Sequence, residues 1–280
     1  MPFTRVVLLT TIAMVAFAGN SLLCRVALRE TTIDPAAFTL IRLVSGALML
    51  ALIIGLKSGA RFAGSGLSAL ALFAYAALFS YAYVELAAGM GALILFGAVQ
   101  ATMIGYGLFK GERFTPLKWL GLLLALIGLI GLMLPGLTAP PLIAALLMAG
   151  AGIAWGVYSL RGKGAGDPIQ VSAGNFLLSI PFALALGLAA QFSGTLQLDM
   201  AGALWAIASG AVASALGYMI WYTALPYLSA TNAATIQLSV PVLAAVAGVL
   251  LLNEALTLRL VLASLAILGG IALVIRQRAA

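Results

Sequence analysis

Long apolar segments alternate with short polar ones along most of this chain of 280 residues. A helix that crosses the hydrocarbon core of a bilayer needs about 20 mostly apolar residues. Segments of about this length are 6–24, 35–56, 117–134, 141–160, 170–190 and 258–275. Their apolar residues are continuous rather than alternating, which favours helices over half-buried strands.

Two further apolar segments are too long for one span. Residues 67–109 have a weak break at 87–91, and residues 200–252 are divided near Pro226, which cannot continue a regular helix. Each of these segments therefore predicts two helices. The whole pattern predicts an all-α polytopic membrane protein with ten transmembrane helices.

Composition excludes several classes of function. Apolar residues make up 64% of the chain and charged residues 8%, against about 25% charged residues in soluble domains. The absence of histidine excludes His-based catalysis and removes the commonest metal ligand. The one cysteine, Cys24, allows no intrachain disulfide, and we expect it to be an inert packing residue. The sequence therefore predicts no enzyme, no metal site and no cofactor.

The basic residues predict an orientation in the membrane. The net charge is +7, but the basic residues are spread along the chain, so no nucleic-acid surface is predicted. With the N-terminus inside, ten of the 14 basic residues lie on the cytoplasmic side, three lie outside and Arg42 lies within a span. We therefore expect a multi-pass protein of the plasma (inner) membrane with both termini in the cytoplasm.

The N-terminal segment also has features of a secretory leader. Arg5 precedes an apolar run that contains Ala16-Phe17-Ala18, which resembles a cleavage site. Small residues are common throughout this chain, so the resemblance is weak. We expect the segment to remain as the first span.

The sequence contains a weak internal repeat. Residues 111–134 and 253–276 align when Glu112 is placed on Glu254. The alignment divides the chain into residues 1–137 and 138–280, each with five predicted helices. Because five is an odd number, the two halves enter the membrane in opposite orientations, and such an inverted repeat is typical of secondary transporters.

The repeated turn has a structural explanation. In each copy a glutamate is followed three residues later by a threonine, Thr115 or Thr257. A threonine side chain can cap the next helix, and the positive end of that helix favours a nearby carboxylate. We therefore expect Glu112 and Glu254 to have a capping role rather than a role in proton transfer.

These features together resemble the drug/metabolite transporter superfamily, EamA type. The resemblance depends on an aromatic-Gly-x-polar pattern in spans one and six, on Arg42 in span two, and on the repeated turn. It covers nearly the whole chain. The chain departs from the family pattern at Phe17-Ala18, where Trp-Gly is usual, and at Asn253, where Gly is usual. The resemblance implies a ten-helix fold and export of amino acids or other small metabolites, or of toxic organic compounds.

Polar and aromatic side chains within the predicted spans are the candidate substrate contacts. Polar groups are costly in lipid and tend to face the bundle interior, while aromatic rings offer stacking and cation–π contacts. The candidates are Asn20, Arg42, Tyr81, Glu85, Gln100, Trp155, Tyr158, Asn175, Tyr218, Tyr222 and Gln237. Interhelical hydrogen bonding is the alternative role for the amides.

Arg42 and Glu85 are the two charged residues clearly within predicted spans. They are expected either to form a salt bridge with each other or to meet a substrate charge, with Glu85 as a possible proton carrier. Tyr83 and Tyr227 are expected to be interfacial anchors. Small multidrug antiporters of the same superfamily depend on a carboxylate in the middle of span one, and this chain has none there, which favours facilitated transport.

The sequence thus predicts a secondary transporter that exports small metabolites through a central cavity by alternating access. Amino acids, including hydrophobic and aromatic ones, are the favoured cargo because fixed charges are few and aromatic residues cluster. A multidrug or organic-cation exporter is the first alternative. A sugar-phosphate or nucleotide-sugar carrier is less favoured, because such anions need several basic residues and only Arg42 is available. The expected partners are the small-molecule substrate and the bilayer, and nothing in the sequence requires a protein partner, so a monomer would suffice.

Overall fold

The structure is a computed structural model that describes residues 1–56, 61–111, 115–134, 139–162, 165–228, 236–237 and 239–276. Ten long helices and no strand occur in this part of the chain. They are α1 (Phe3–Glu30), α2 (Pro35–Gly55), α3 (Gly66–Tyr83), α4 (Ala88–Phe109), α5 (Pro116–Met133), α6 (Leu142–Gly162), α7 (Pro168–Phe192), α8 (Met200–Tyr227), α9 (Ser239–Leu252) and α10 (Leu258–Arg276).

Side-chain caps explain where several of these helices begin. Asp34 and Asp167 each accept two backbone N–H groups at the starts of α2 and α7, and each is followed by a proline in the first turn. Thr115 Oγ1 accepts the Lys118 N–H at 3.4 Å, and Thr257 Oγ1 accepts the Leu260 N–H at 3.2 Å. The capping role predicted for both threonines is confirmed.

The lengths and composition of the helices fit a bilayer. Seven of the described helices are long and apolar enough to span it, and three shorter apolar stretches lie in α5, α9 and α10. Many leucine, isoleucine and valine side chains are exposed on the outside of the bundle, as lipid contact requires. Two breaks occur as predicted, but the first is displaced: α3 ends at Tyr83 and α4 begins at Ala88, so this break lies at 84–87 rather than at 87–91. The second is confirmed near Pro226, because α8 ends at Tyr227.

One described position of the repeated turn has the same kind of backbone conformation in both halves. Gly111 has a φ of 90° and Asn253, its counterpart in the second half, has a φ of 51°. Asparagine is among the few non-glycine residues that adopt the left-handed region readily. The departure of Asn253 from the usual glycine therefore preserves the turn.

Helix packing also follows the repeat. α2 packs on α7, α4 on α9 and α5 on α10, so that corresponding helices of the two halves meet. The contact of α1 with α8 is matched by that of α6 with α3, and the contact of α1 with α9 by that of α6 with α4. Exchanging the halves therefore reproduces the packing pattern, which places α1, α3, α6 and α8 around the middle of the bundle.

The middle of α8 is irregular. Residues Ala208–Leu216 form a π-helix, a local widening that is frequent at functional sites. Gly210 lies in this segment, and a Cβ there would overlap the backbone carbonyl oxygen of Arg42 on α2. The close backbone approach that glycine permits therefore fixes Arg42 beside the π-helix.

Candidate functional site

A small cavity lies between the two halves of the bundle. Its volume is about 20 Å³, room for roughly one water molecule. The lining residues are Phe17, Asn20, Ser21, Tyr75, Phe79, Leu95, Phe96, Trp155 and Tyr218. α1, α3 and α4 of the first half and α6 and α8 of the second half all contribute, as expected of a site at a repeat interface.

The side-chain amide of Asn20 forms two hydrogen bonds at the cavity. Its Nδ2 donates to the Tyr75 hydroxyl at 3.3 Å, and its Oδ1 accepts from Ser209 Oγ at 2.6 Å. Ser209 belongs to the π-helical segment of α8. The amide therefore links helices of both halves across the cavity.

Arg42 is fully buried behind the cavity wall. Its Nε donates to Ser214 Oγ at 3.2 Å and its Nη2 donates to the Tyr75 hydroxyl at 3.1 Å. The guanidinium carbon lies 5.1 Å and 4.9 Å from the ring centroids of Tyr75 and Phe79, within the range of cation–π attraction. Two cavity-lining rings and a serine of the π-helix thus surround a charge deep in the bundle.

Aromatic rings form much of the cavity wall. The Trp155 ring centroid lies 4.9 Å from that of Tyr75 and 4.8 Å from that of Tyr218. Phe17 lies edge-on to Trp155 at 6.4 Å and to Tyr218 at 5.9 Å. The aromatic positions of the pattern in spans one and six, Phe17 and Trp155, therefore meet at the cavity.

Two other candidates form a separate contact. Asn175 Nδ2 donates to the Tyr158 hydroxyl at 3.5 Å, and Asn175 Oδ1 accepts the backbone N–H of Ser65 at 3.0 Å. Tyr158 is not a lining residue, but its ring centroid lies 5.5 Å from that of Trp155, which lines the cavity. These residues tie α7 and α6 to the segment before α3.

The remaining inward-facing candidates lie outside the cavity lining. Gln100 is buried and lines a second space of about 10 Å³ between α4, α5 and α10. Tyr222 and Gln237 are half-buried and do not line the central cavity.

Tyr81 and Glu85 lie near the end of α3, and both are exposed. The predicted salt bridge between Arg42 and Glu85 is wrong. Arg42 is buried within the bundle, whereas Glu85 lies in the turn after α3 and is exposed. Tyr83 is also not the exposed interfacial anchor predicted for it, because it is fully buried and its hydroxyl donates to the Ala88 carbonyl oxygen at 3.2 Å.

One end of the bundle carries a cluster that the sequence did not reveal, here named the Glu254 cluster (Arg25, Tyr83, Val84, Ala88 and Glu254). Arg25 Nε lies 3.4 Å from Glu254 Oε1, and Arg25 Nη1 donates to the carbonyl oxygens of Tyr83 and Val84 at 2.9 and 2.8 Å. Glu254 Oε2 accepts the Ala88 N–H at 2.8 Å. Glu254 therefore caps α4 rather than its own following helix, and Glu112 lies outside the described residues.

At the other end of the bundle an arginine of α6 forms hydrogen bonds with the start of α3. Arg161 donates to Ser68 Oγ at 3.0 Å and to Ser65 Oγ at 3.2 Å, at the start of α3. The backbone N–H of Ala63 donates to the carbonyl oxygen of Gln170 at 3.0 Å. Contacts between the halves therefore occur at both ends of the bundle.

Two larger grooves lie elsewhere in the described part of the chain. One of about 480 Å³ between α9 and α10 is lined almost entirely by aliphatic side chains, which suits lipid chains. The other, of about 520 Å³, is lined by residues of α5 and α10 that include Arg259. No group of three potential metal-ligating His, Cys, Asp or Glu side chains comes together in the described ranges. Cys24 is fully buried, as expected of a packing residue.

Known proteins with similar sequences were found in bacteria and archaea. A Pseudomonas aeruginosa protein described as uncharacterized is 58% identical over 99% of this chain and 97% of its own length. An uncharacterized transporter of Archaeoglobus fulgidus is 29% identical over 70% of each chain. The threonine/homoserine exporter RhtA of Salmonella typhimurium is 32% identical over 60% of this chain and 57% of its own length.

The fold has a solved counterpart. A crystal structure superposes on this chain with a TM-score of 0.68 at 18% identity, covering 98% of both chains. The model of the EamA-like transporter family matches this sequence twice, over residues 4–134 and 142–276. The chain, a transporter rather than an enzyme, therefore belongs to the EamA-like transporter family.

Proposed function

We propose that this transporter exports small neutral or zwitterionic metabolites, chiefly amino acids, by alternating access through the central cavity. The observation that carries the proposal is the cavity itself. It lies at the interface of the halves, and its wall combines the amide of Asn20 with the aromatic rings of Tyr75, Trp155 and Tyr218. Aromatic area with a few fixed polar groups suits an amino acid, including a hydrophobic or aromatic one.

The charges around the cavity support this cargo class. Arg42 is the charged side chain behind the described cavity wall, and no carboxylate is among the lining residues. A lone buried cation disfavours an organic cation and is too little positive charge for a sugar phosphate. A zwitterion with one carboxylate fits this balance better than either alternative.

Similarity to one relative narrows the expected cargo. The Salmonella protein is named a threonine/homoserine exporter, and it aligns with 60% of this chain. Both of its named substrates are small hydroxy amino acids. We therefore take threonine and homoserine as the first compounds to test.

Alternating access requires the two closed ends to open in turn. The Glu254 cluster closes one end, and the contacts of Arg161 with Ser65 and Ser68 close the other. Because a cavity of about 20 Å³ cannot hold an amino acid, cargo binding must separate the helices around it. With the orientation given by the basic residues, the Glu254 cluster is the outer gate of an inner-membrane protein whose termini are cytoplasmic.

The position of the acidic residue of α1 bears on the energy source for transport. The one carboxylate of α1 is Glu30, the last residue of the helix and exposed. This leaves no proton carrier in the middle of α1, so we propose facilitated transport down the cargo gradient. The cavity is formed within one chain, so a single copy suffices for transport.

Uptake by proteoliposomes tests the proposal. Purified protein is reconstituted, and uptake of labelled threonine, homoserine, phenylalanine and a lipophilic organic cation is measured with and without a proton gradient. We expect amino-acid uptake that needs no proton gradient. Uptake of the cation alone would replace the proposal by a multidrug function, and strict dependence on the gradient would overturn the facilitated mechanism.

A further inference from the structure

Arg42 carries an unpaired hydrogen-bond donor. Its Nε and Nη2 are bonded to Ser214 and Tyr75, but its Nη1 has no partner. Buried donors are nearly always bonded, and a charged guanidinium in the membrane interior is costly unless it is compensated. Among the described residues Arg42 has no ion pair, since the two pairs found there are Arg25–Glu254 and Arg29–Glu30.

A second unpaired group lies beside it. The Tyr218 hydroxyl is buried without a partner, and Tyr218 lines the central cavity. Tyr75, whose hydroxyl accepts from Arg42 Nη2, lines the same cavity as Tyr218, and both tyrosine rings pack against Trp155. The two buried side-chain groups without a hydrogen bond in the described part of the chain therefore lie on either side of one aromatic cluster.

We propose that Arg42 Nη1 and the Tyr218 hydroxyl together bind the carboxylate of the cargo. This inference rests on the function proposed above and names the chemical group by which the cavity recognises its amino acid. A guanidinium N–H and a phenol O–H donate two charge-assisted hydrogen bonds to a carboxylate, whose charge compensates Arg42. The cargo side chain then lies against Phe17 and Trp155.

The closed conformation explains why the contact is not yet made. The rings of Tyr75 and Phe79 lie between the guanidinium and the cavity, with centroids about 5 Å from its carbon. Separation of the helices to admit cargo would move these rings and expose Nη1. The carboxylate then supplies the partner that Arg42 and Tyr218 lack.

Tyr218→Phe is the sharpest variant. It removes the hydroxyl and no hydrogen bond of the closed protein, so folding should be retained and the melting temperature unchanged or slightly raised. Loss of one hydrogen bond to a carboxylate should weaken threonine binding about 10-fold or more. Tyr81→Phe is the matched control, because Tyr81 is exposed outside the cavity and its loss should leave binding unchanged.

The experiment compares L-threonine with L-threonine amide, which lacks the carboxylate. Both are tested as competitors of labelled threonine uptake and, independently of transport, as ligands that raise the melting temperature of the full-length protein in detergent. We expect the acid to bind at least 10-fold more tightly than the amide to the unmodified protein. Tyr218→Phe and Arg42→Lys should reduce this preference, while Tyr81→Phe should retain it.

The outcomes separate the two proposals. Equal binding of acid and amide, or full affinity in Tyr218→Phe, would overturn the carboxylate contact even if amino acids are transported. Failure to transport any amino acid would overturn the proposed function. In that case 2-hydroxybutanoate and its amide serve as the ligand pair in the melting assay. A preference for the acid that requires Tyr218 would still establish the contact of Arg42 and Tyr218 with a carboxylate. Equal effects of the acid and the amide on the melting temperature would refute this contact.

Discussion

Neutralising Glu254 should open the end of the pathway that this carboxylate closes. The Arg25 and Glu254 side chains are only 11% and 7% exposed, and they join the first half of the chain to the second. Glu254→Gln keeps an oxygen that can accept the Ala88 N–H, and Arg25 keeps its two carbonyl acceptors. The substitution therefore removes the charge of the pair with little loss of other contacts.

The size of the effect follows from the geometry of the pair. At a separation of 3.4 Å and an effective dielectric constant of about 20, the attraction is about 5 kcal/mol. Desolvation of two mostly buried charges offsets much of this energy. A net loss of about 1–2 kcal/mol should raise the population open at this end about 5- to 30-fold.

The native cysteine supplies the assay. Cys24 is the one cysteine of the chain, is fully buried, and precedes Arg25 on α1. Its labelling rate with a membrane-impermeant maleimide reports opening at the Glu254 cluster, because a buried thiol must be exposed before it reacts. The rate in Glu254→Gln should rise about 5- to 30-fold, while the melting temperature shows that the fold is retained.

The matched control is Glu30→Gln. Glu30 pairs with Arg29 at 3.3 Å, but their side chains are 57% and 44% exposed, so the pair contributes little. Labelling of Cys24 should not change in this variant. An unchanged rate in Glu254→Gln, or an equal rise in Glu30→Gln, would refute the role of the buried pair as a gate.

Other parts of the structure make further predictions. Gly210→Ala should lower the thermal stability in detergent by about 1–3 kcal/mol, since the new Cβ would overlap the Arg42 carbonyl oxygen. Gly19→Ala is the control and should leave the stability unchanged, because the space around its Cβ is open. Asn253→Gly should be tolerated, and Asn253→Ala should cost about 1 kcal/mol in the same melting assay, because φ is 51° there. Asp199→Ala should lower the melting temperature at neutral pH. The hydrogen bond from the Gly202 N–H to the Asp199 carboxylate lowers the pKa of this carboxyl group. The difference in melting temperature between Asp199→Ala and the unmodified protein should therefore vanish as pH falls through the pKa of Asp199 in the folded protein. A difference that persisted in acid would contradict the capping role of Asp199.

The sequence predicted the helices and the repeat well because both depend on local patterns. Apolar segments of about 20 residues identify spans without knowledge of their neighbours. The turn at Asn253 could likewise be matched to its counterpart, since its glutamate and threonine lie at a fixed spacing. The cap formed by Thr257 then followed from the chemistry of a helix start.

The candidate site was harder to predict because it depends on which helix face meets which neighbour. Asn20 and Arg42 could be selected as costly polar groups in a span, but their partners on α8 could not. Ser214, which accepts a hydrogen bond from Arg42, lies in the π-helix of α8, a feature that no local pattern in the sequence indicated. The pairing of Glu85 with Arg42 depended on depth alone, but α3 ends at Tyr83 and Glu85 lies in the exposed turn that follows.

The central claim is that the protein transports amino acids through the cavity between the two halves. Counterflow in proteoliposomes tests this claim most directly. Vesicles loaded with unlabelled L-threonine are diluted into a trace of labelled L-threonine without any ion gradient. The unmodified protein should accumulate label transiently above equilibrium, and Tyr218→Phe should do so more weakly at the same trace concentration. Absence of such accumulation for threonine and for every other amino acid, in vesicles that exchange an organic cation, would contradict the claim.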